Sequence, residues 1–127
     1  MWTGEGESKV LYVQTHGVND PGRCATPFFL AASAAAMDAE VMIYFTMYGP
    51  TLLQRDVIDK IGPKGDRGQP LSYFIDQATG LDVRLLVCQP SLDLNDLTLD
   101  DLIDDVTMIG GAAFNDLAIT ADAVVSF

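Results

Sequence analysis

Runs of β-forming apolar residues alternate with helix-forming segments along most of this chain, and that alternation limits the fold more than any other feature. KVLYVQT (residues 9–15), EVMIYFT (40–46) and DVRLLVC (82–88) are dense in residues that suit a buried, pleated strand. Between the first two lies ATPFFLAASAAAMD (25–38). Its alanine run has high helix propensity, and Pro27 fits the first helical turn. Residues 51–61 carry apolar side chains at 52, 53, 57, 58 and 61, a helical spacing. Residues 63–68 read as a mobile loop, and residues 70–79 as a short helix stopped by Gly80. After Cys88 a long loop leads to Thr98, which N-caps the short helix TLDDLI, with acids in its first turn. Residues 105–109, 111–120 and 123–127 then read as strand, helix and strand. Strands separated by helices make βαβ units, which cross over in one hand and build parallel sheets. The expectation is a single-domain α/β protein over residues 9–127, a three-layer α/β/α sandwich around a five-stranded, mainly parallel sheet. Residues 1–8, polar and glycine-bearing, are expected to form a flexible N-terminus.

The totals narrow the function classes. About half of the 127 residues are hydrophobic (49%), enough for a full core without a disulfide or metal staple. The mean hydropathy of +0.21 leaves apolar surface for subunit contacts. The formal net charge of −11 repels nucleic acid and anionic lipid and keeps an apolar protein in solution. The N-terminal MWTGEGESK has no basic region followed by an apolar one, so no secretory signal is expected. No apolar run is long enough to span a bilayer. The expected location is the cytoplasm.

Several motifs are missing. The first βα loop, THGVNDPGRC, carries neither GxGxxG nor GxxxxGK[ST], which disfavours a standard phosphate cradle. No CxxC is present, so thioredoxin-type chemistry is not signalled. Where a receiver domain would want a phosphoacceptor Asp, the third strand ends in Cys88. GPKGDRGQP repeats Gly at every third position, but three triplets are too few for a collagen helix. Asp93, Asp96, Asp100, Asp101, Asp104 and Asp105 crowd one segment. Their spacing matches no EF-hand loop, and a solvated or partner-facing acidic surface is the expected role.

In open α/β sheets, ligands bind beyond the carboxyl ends of the strands. His16, Arg23 and Cys24 fall in the loop after the first strand, and Cys88 ends the third. If those two strands are neighbours, the four residues converge. A thiol becomes nucleophilic when its pKa falls, as it does at helix N-termini or beside Arg or His⁺. Cys88, with Ser91 as a nearby donor, and Cys24, just before a helix, are the candidate nucleophiles. His16 and Arg23 are the candidate supports. Either sulfur could carry a sulfane sulfur as a persulfide without a cofactor, and no metal site is expected. Free cysteine is also a common buried filler, so packing is the competing role for both.

The chain resembles the DsrE/DsrF-like proteins, small sulfur-relay subunits of the TusBCD and DsrEFH kind. The resemblance is carried by KVLYVQTHGVNDPGRCATPFFLAASAAAMDAEVMIYFT and by LLVCQPSLDLNDLTLDDLIDDVTMIGGAAFNDLAITADAVVSF. It implies a parallel α/β/α sheet and an oligomer, commonly a trimer or hexamer. It also implies that a cysteine in the position of Cys88 accepts sulfur as a persulfide or thiosulfonate and passes it on. The donor and acceptor it implies are other proteins, rhodanese-like or TusA-like. Cys24 matches a cysteine found in only some relatives. Two readings stand: a sulfur carrier or sulfurtransferase acting through Cys88, and a non-catalytic oligomeric module that binds a small ligand or a regulatory partner.

Overall fold

A computed structural model of the chain describes residues 8–127. Its elements run β1 (Lys9–Gln14), α1 (Thr26–Ala36), β2 (Glu40–Phe45), α2 (Leu71–Thr79), β3 (Arg84–Val87), α3 (Gln89–Leu94), β4 (Val106–Met108), α4 (Gly111–Thr120) and β5 (Ala123–Ser126). Short 3-10 turns lie at Pro21–Arg23, Gly49–Leu53 and Leu99–Asp101. Among the described residues the five strands form one sheet in the order β4-β3-β2-β1-β5, and every pair is parallel. The expectation of a flexible N-terminus falls on residues 1–7, outside the described ones. Ser8 is described, and its carbonyl accepts the Glu40 N–H at 2.8 Å.

The central strands are buried on both faces, as parallel strands under helices must be. Side chains alternate between two cores. Tyr12, Ile43, Phe45, Leu85 and Val87 face α1 and α2, where Phe28, Ala31, Ile75 and Ala78 close the layer. Leu11, Val13, Met42, Tyr44, Leu86 and Cys88 face the other way, against Phe114, Leu117 and Ala118 of α4. The sandwich is therefore lopsided: α1, α2 and Leu92 of the short α3 pack into one core, and α4 alone closes the other. Phe28 stacks at 5.7 Å from Phe45 between ring centroids. Truncating such a residue costs about 3–5 kcal/mol. A helix cap contributes about 1 kcal/mol, and α1 has no side-chain cap at all. Packing of its apolar face, not capping, holds α1.

Two local expectations change. No α-helix forms over residues 51–61. Leu53 C=O accepts from the Ile103 N–H and the Arg55 N–H donates to Asp101 C=O, so Gln54 pairs with Leu102 instead of continuing a helix. Val57, Ile58 and Ile61 still reach the core, from a series of turns. The long loop after Cys88 contains α3, with Pro90 in its first turn, where proline is tolerated. The Leu99–Asp101 turn carries a reciprocal cap: the Asp101 carboxylate accepts from both the backbone N–H and the hydroxyl of Thr98. Gly65 and Gly68 sit at φ +77 and +75, which explains two of the three spaced glycines.

The loop after β2 passes close to β1. A Cβ on Gly49 would lie 2.3 Å from the Gln14 carbonyl oxygen, which already accepts the Thr46 N–H. Backbone cannot yield there as a side chain could. Gly49→Ala is expected to destabilise the fold by about 1–3 kcal/mol. The urea midpoint should fall with no change in slope, and an unchanged midpoint would contradict this close approach.

Candidate functional site

Cys88 lies at the carboxyl edge of the sheet, as the residue that ends β3 and caps α3 with extended backbone. β2 and β3 are paired in register, Tyr44 with Leu86 and Phe45 with Val87. The next step along the strands brings Thr46 level with Cys88. Period-two alternation puts Tyr44, Thr46 and Cys88 on the α4 face. Three residues after Cys88, the first turn of α3 folds Ser91 back over the sulfur. The Sγ–Oγ distance is 2.8 Å. The Thr46 hydroxyl is 3.6 Å from the sulfur and 3.1 Å from the Ser91 Oγ. The Met47 N–H donates to that same Ser91 Oγ at 2.8 Å. Tyr44 packs in the same cluster as Cys88, and its hydroxyl favours the thiolate. Its ring is fixed 4.3 Å from that of Phe114 on α4.

This arrangement decides the charge on the sulfur. Burial, with Cys88 9% exposed, pushes the thiol pKa up. Hydrogen bonds from the Ser91, Tyr44 and Thr46 hydroxyls and from the Ser91 backbone N–H outweigh it, and the net shift is downward. In the neutral form the thiol donates to Ser91 Oγ. On ionisation the hydroxyls can turn and donate to the thiolate. The Met47 N–H occupies an acceptor site on Ser91 Oγ, which leaves the Ser91 proton free for the sulfur. Tyr44 keeps its proton, because burial and the contact with Cys88 both hold its phenol well above the ordinary value.

The other cysteine is placed differently. Cys24 is fully buried in the α1/α2 core, on the opposite face of the sheet from Cys88. Burial pushes its thiol up to about 11. The convergence expected if the first and third strands were neighbours does not occur, because β2 lies between β1 and β3. Two strand spacings separate β1 from β3, about 10 Å. His16 is half-buried on the β1 side, its Nδ1 3.3 Å from the Thr15 hydroxyl. Arg23 is an exposed residue that pairs with Asp20 at 3.1 Å. Gln14 Nε2 donates to the carbonyls of His16 and Arg23 and ties that loop down. Of the residues singled out in the sequence, only Ser91 shares the Cys88 network.

Sequence reasoning missed Tyr44, Thr46 and the Met47 backbone. Alternation in EVMIYFT signals that Tyr44 and Thr46 share a face. It does not signal which strand lies beside them. Asp93, Asp96, Asp100, Asp101, Asp104 and Asp105 are all exposed, and Arg55 hydrogen-bonds Asp104. Among the described residues no group of three His, Cys, Asp or Glu side chains is placed to hold a metal ion. No described helix is long and apolar enough to cross a membrane.

Comparison with known proteins agrees with this architecture. The sulfur carrier protein DsrE2 of Allochromatium vinosum is 28% identical in an alignment 154 positions long, gaps included, covering 91% of this chain and 96% of that protein. The crystal structure of the YchN protein from E. coli superposes with a TM-score of 0.76 at 16% identity, over 96% of this chain and all of that one. MTH1491 of Methanobacterium thermoautotrophicum, a protein of unknown function, superposes with a TM-score of 0.62 at 15% identity over the same shares. These two likenesses establish the α/β fold. The sequence profile of the DsrE/DsrF-like family matches residues 8–127, and the chain belongs to that family.

Proposed function

We propose that this protein is a sulfur carrier that accepts sulfane sulfur on Cys88, as a persulfide or thiosulfonate, and relays it to a partner protein. The observation that carries this reading is the set of hydroxyl and amide donors gathered on one nearly buried sulfur at the sheet's carboxyl edge. A packing cysteine needs no such donors, and Cys24 shows the alternative environment. The similarity to a protein named as a sulfur carrier supports the same reading.

For a persulfide donor the step balances without an external oxidant. The Cys88 thiolate attacks the outer sulfur of R–S–SH. A bond forms between Sγ and that sulfur as the donor's S–S bond breaks, and the electron pair leaves on the donor thiolate. Cys88 then holds –S–SH. An acceptor thiolate repeats the attack on the outer sulfur and regenerates the Cys88 thiolate. The Ser91, Thr46 and Tyr44 hydroxyls stabilise Cys88 as nucleophile in the first step and as leaving group in the second. Both roles improve with a lowered pKa near the ambient pH.

Donor and acceptor are proposed to be proteins with rhodanese-like or TusA-like chemistry. The net charge of −11 favours a basic docking face on at least one of them. A homo-oligomer, trimer or hexamer, is also proposed. Ile119 on α4 and Val124 on the edge strand β5 are 82% and 47% exposed, which supports subunit contact there. A carrier that works as a free thiol suits a reducing compartment, so the cytoplasm is its proposed location.

Two measurements test the site. Reduced protein incubated with polysulfide or tetrathionate should gain a sulfur-sized or thiosulfonate-sized mass. The gain should vanish in Cys88→Ser and persist in Cys24→Ser. No adduct on any form would leave the non-catalytic binding module as the better reading. Cys88 alkylation should titrate below an ordinary thiol, and Ser91→Ala should move it up. A hydrogen bond to a charged group is worth about 1.5–3 kcal/mol, so the rise should be about one to two pKa units. At pH 7 the variant then has less thiolate and reacts more slowly. Above both pKa values the thiolate fractions converge, and the variant, with the more basic thiolate, should be slightly the faster. Equal rates at pH 7 would remove Ser91 from the mechanism.

A further inference from the structure

Asp38, Met47, Asp82 and Asp96 are the described non-glycine residues with positive φ. Aspartate tolerates the left-handed region through local side-chain hydrogen bonds, whereas methionine has no such help. Met47, at φ +55, therefore needs its conformation imposed from outside. Its side chain is half exposed, so packing does not impose it. Its backbone polar groups do. The N–H donates to Ser91 Oγ at 2.8 Å, and the carbonyl accepts from Asn95 Nδ2 at 2.7 Å. Asn95 is the C-cap of α3. The same Nδ2 donates to the Ser91 carbonyl at 2.6 Å. One carboxamide thus holds the strained turn after β2 and the backbone of the residue that contacts Cys88.

We propose that Asn95 is a positioning residue for Cys88: its carboxamide locks Met47 in the left-handed conformation, and the Met47 N–H thereby aims the Ser91 hydroxyl at the sulfur. This deepens the sulfur-carrier reading and rests on it. Asn95 does not touch the sulfur and acts through Met47 and Ser91. When the lock is removed, Met47 relaxes toward negative φ and its N–H swings off Ser91 Oγ. The hydroxyl is then free to point elsewhere, and the thiolate loses its closest donor. Thr46 keeps its place, because its N–H donates to the Gln14 carbonyl. Tyr48 N–H still donates to the Thr15 carbonyl on the far side of the turn, so the loop stays attached to the sheet.

The test reads the pH profile of Cys88 alkylation, located by peptide mass, which a purely structural role would leave in place. Asn95→Ala should move the Cys88 alkylation profile to higher pH and slow the reaction several-fold below the wild-type midpoint. Adding Met47→Gly to that variant should bring the profile back toward wild type, because glycine enters the left-handed region without a steric penalty. Met47→Val, with Asn95 intact and the altered side chain at the surface, should raise the pKa on its own, because β-branched residues resist that region. An unmoved profile in Met47→Val overturns the proposal, even if Asn95→Ala fails to fold. A raised pKa in Asn95→Ala that glycine at 47 does not rescue also overturns it. Sulfur uptake is measured in parallel. If Cys88 takes up no sulfur while the alkylation profiles shift as described, the carrier reading fails and the positioning role of Asn95 stands.

Discussion

β2 is buried on both faces from Val41 to Phe45, and this two-sided burial is the constraint from which the rest of the molecule follows. A central parallel strand has no solvent side, so each residue needs a packing partner in one of two layers. Val41, Ile43 and Phe45 find theirs under α1 and α2, and Met42 and Tyr44 find theirs under α4. The helices differ accordingly. The second half of α1, residues 31–36, can be all small residues because it lies close on aliphatic and aromatic side chains. α4 covers its face alone and buries only part of itself. Tyr44 is the polar exception in this strand, and a buried phenol needs a hydrogen-bond partner. The Cys88 sulfur is its polar neighbour in that layer.

The site is what the central strand becomes when it leaves the core. At Thr46 the chain passes from two-sided burial to the surface, and β3 makes the same passage at Cys88 beside it. The sulfur sits at the edge of the core, where it is dry enough for hydrogen bonds to be strong. Burial alone would make it a poor nucleophile, as it does at Cys24. Donors prevail at Cys88 because several converge on one atom, each stronger when its acceptor is charged. The acidic residues of the 93–105 segment remain exposed and outside this network. They contribute negative charge to the surface.

Much of this was legible in the residues. Alternating strand and helix signals imply a parallel sheet, and residues 111–120 form the helix that their pattern suggests. The helical spacing at 51–61 misled because spacing reports which residues face the core, not how the backbone gets there. Gln54 was captured by Leu102, a partner far along the chain. α3 was hidden because a proline after a cysteine reads as a break, although the first turn of a helix accepts it. Cys88 and Ser91, three apart, were legible as a pair because their contact is local. Tyr44, Thr46, Met47 and Asn95 were not, because each depends on which strand lies beside β3.

The sequence by itself determined the α/β class, the parallel sheet with two covered faces, and a thiol at the end of a strand with a hydroxyl one helical turn on. These follow from short-range propensity and from periods of two and of about 3.6 residues. Only the tertiary structure decided the order β4-β3-β2-β1-β5, and with it the neighbours of the thiol. Strand order is settled by pairing between segments tens of residues apart, and no local pattern encodes it. It placed the histidine loop two strands from Cys88 and put the end of β2, with its strained Met47, against α3 instead.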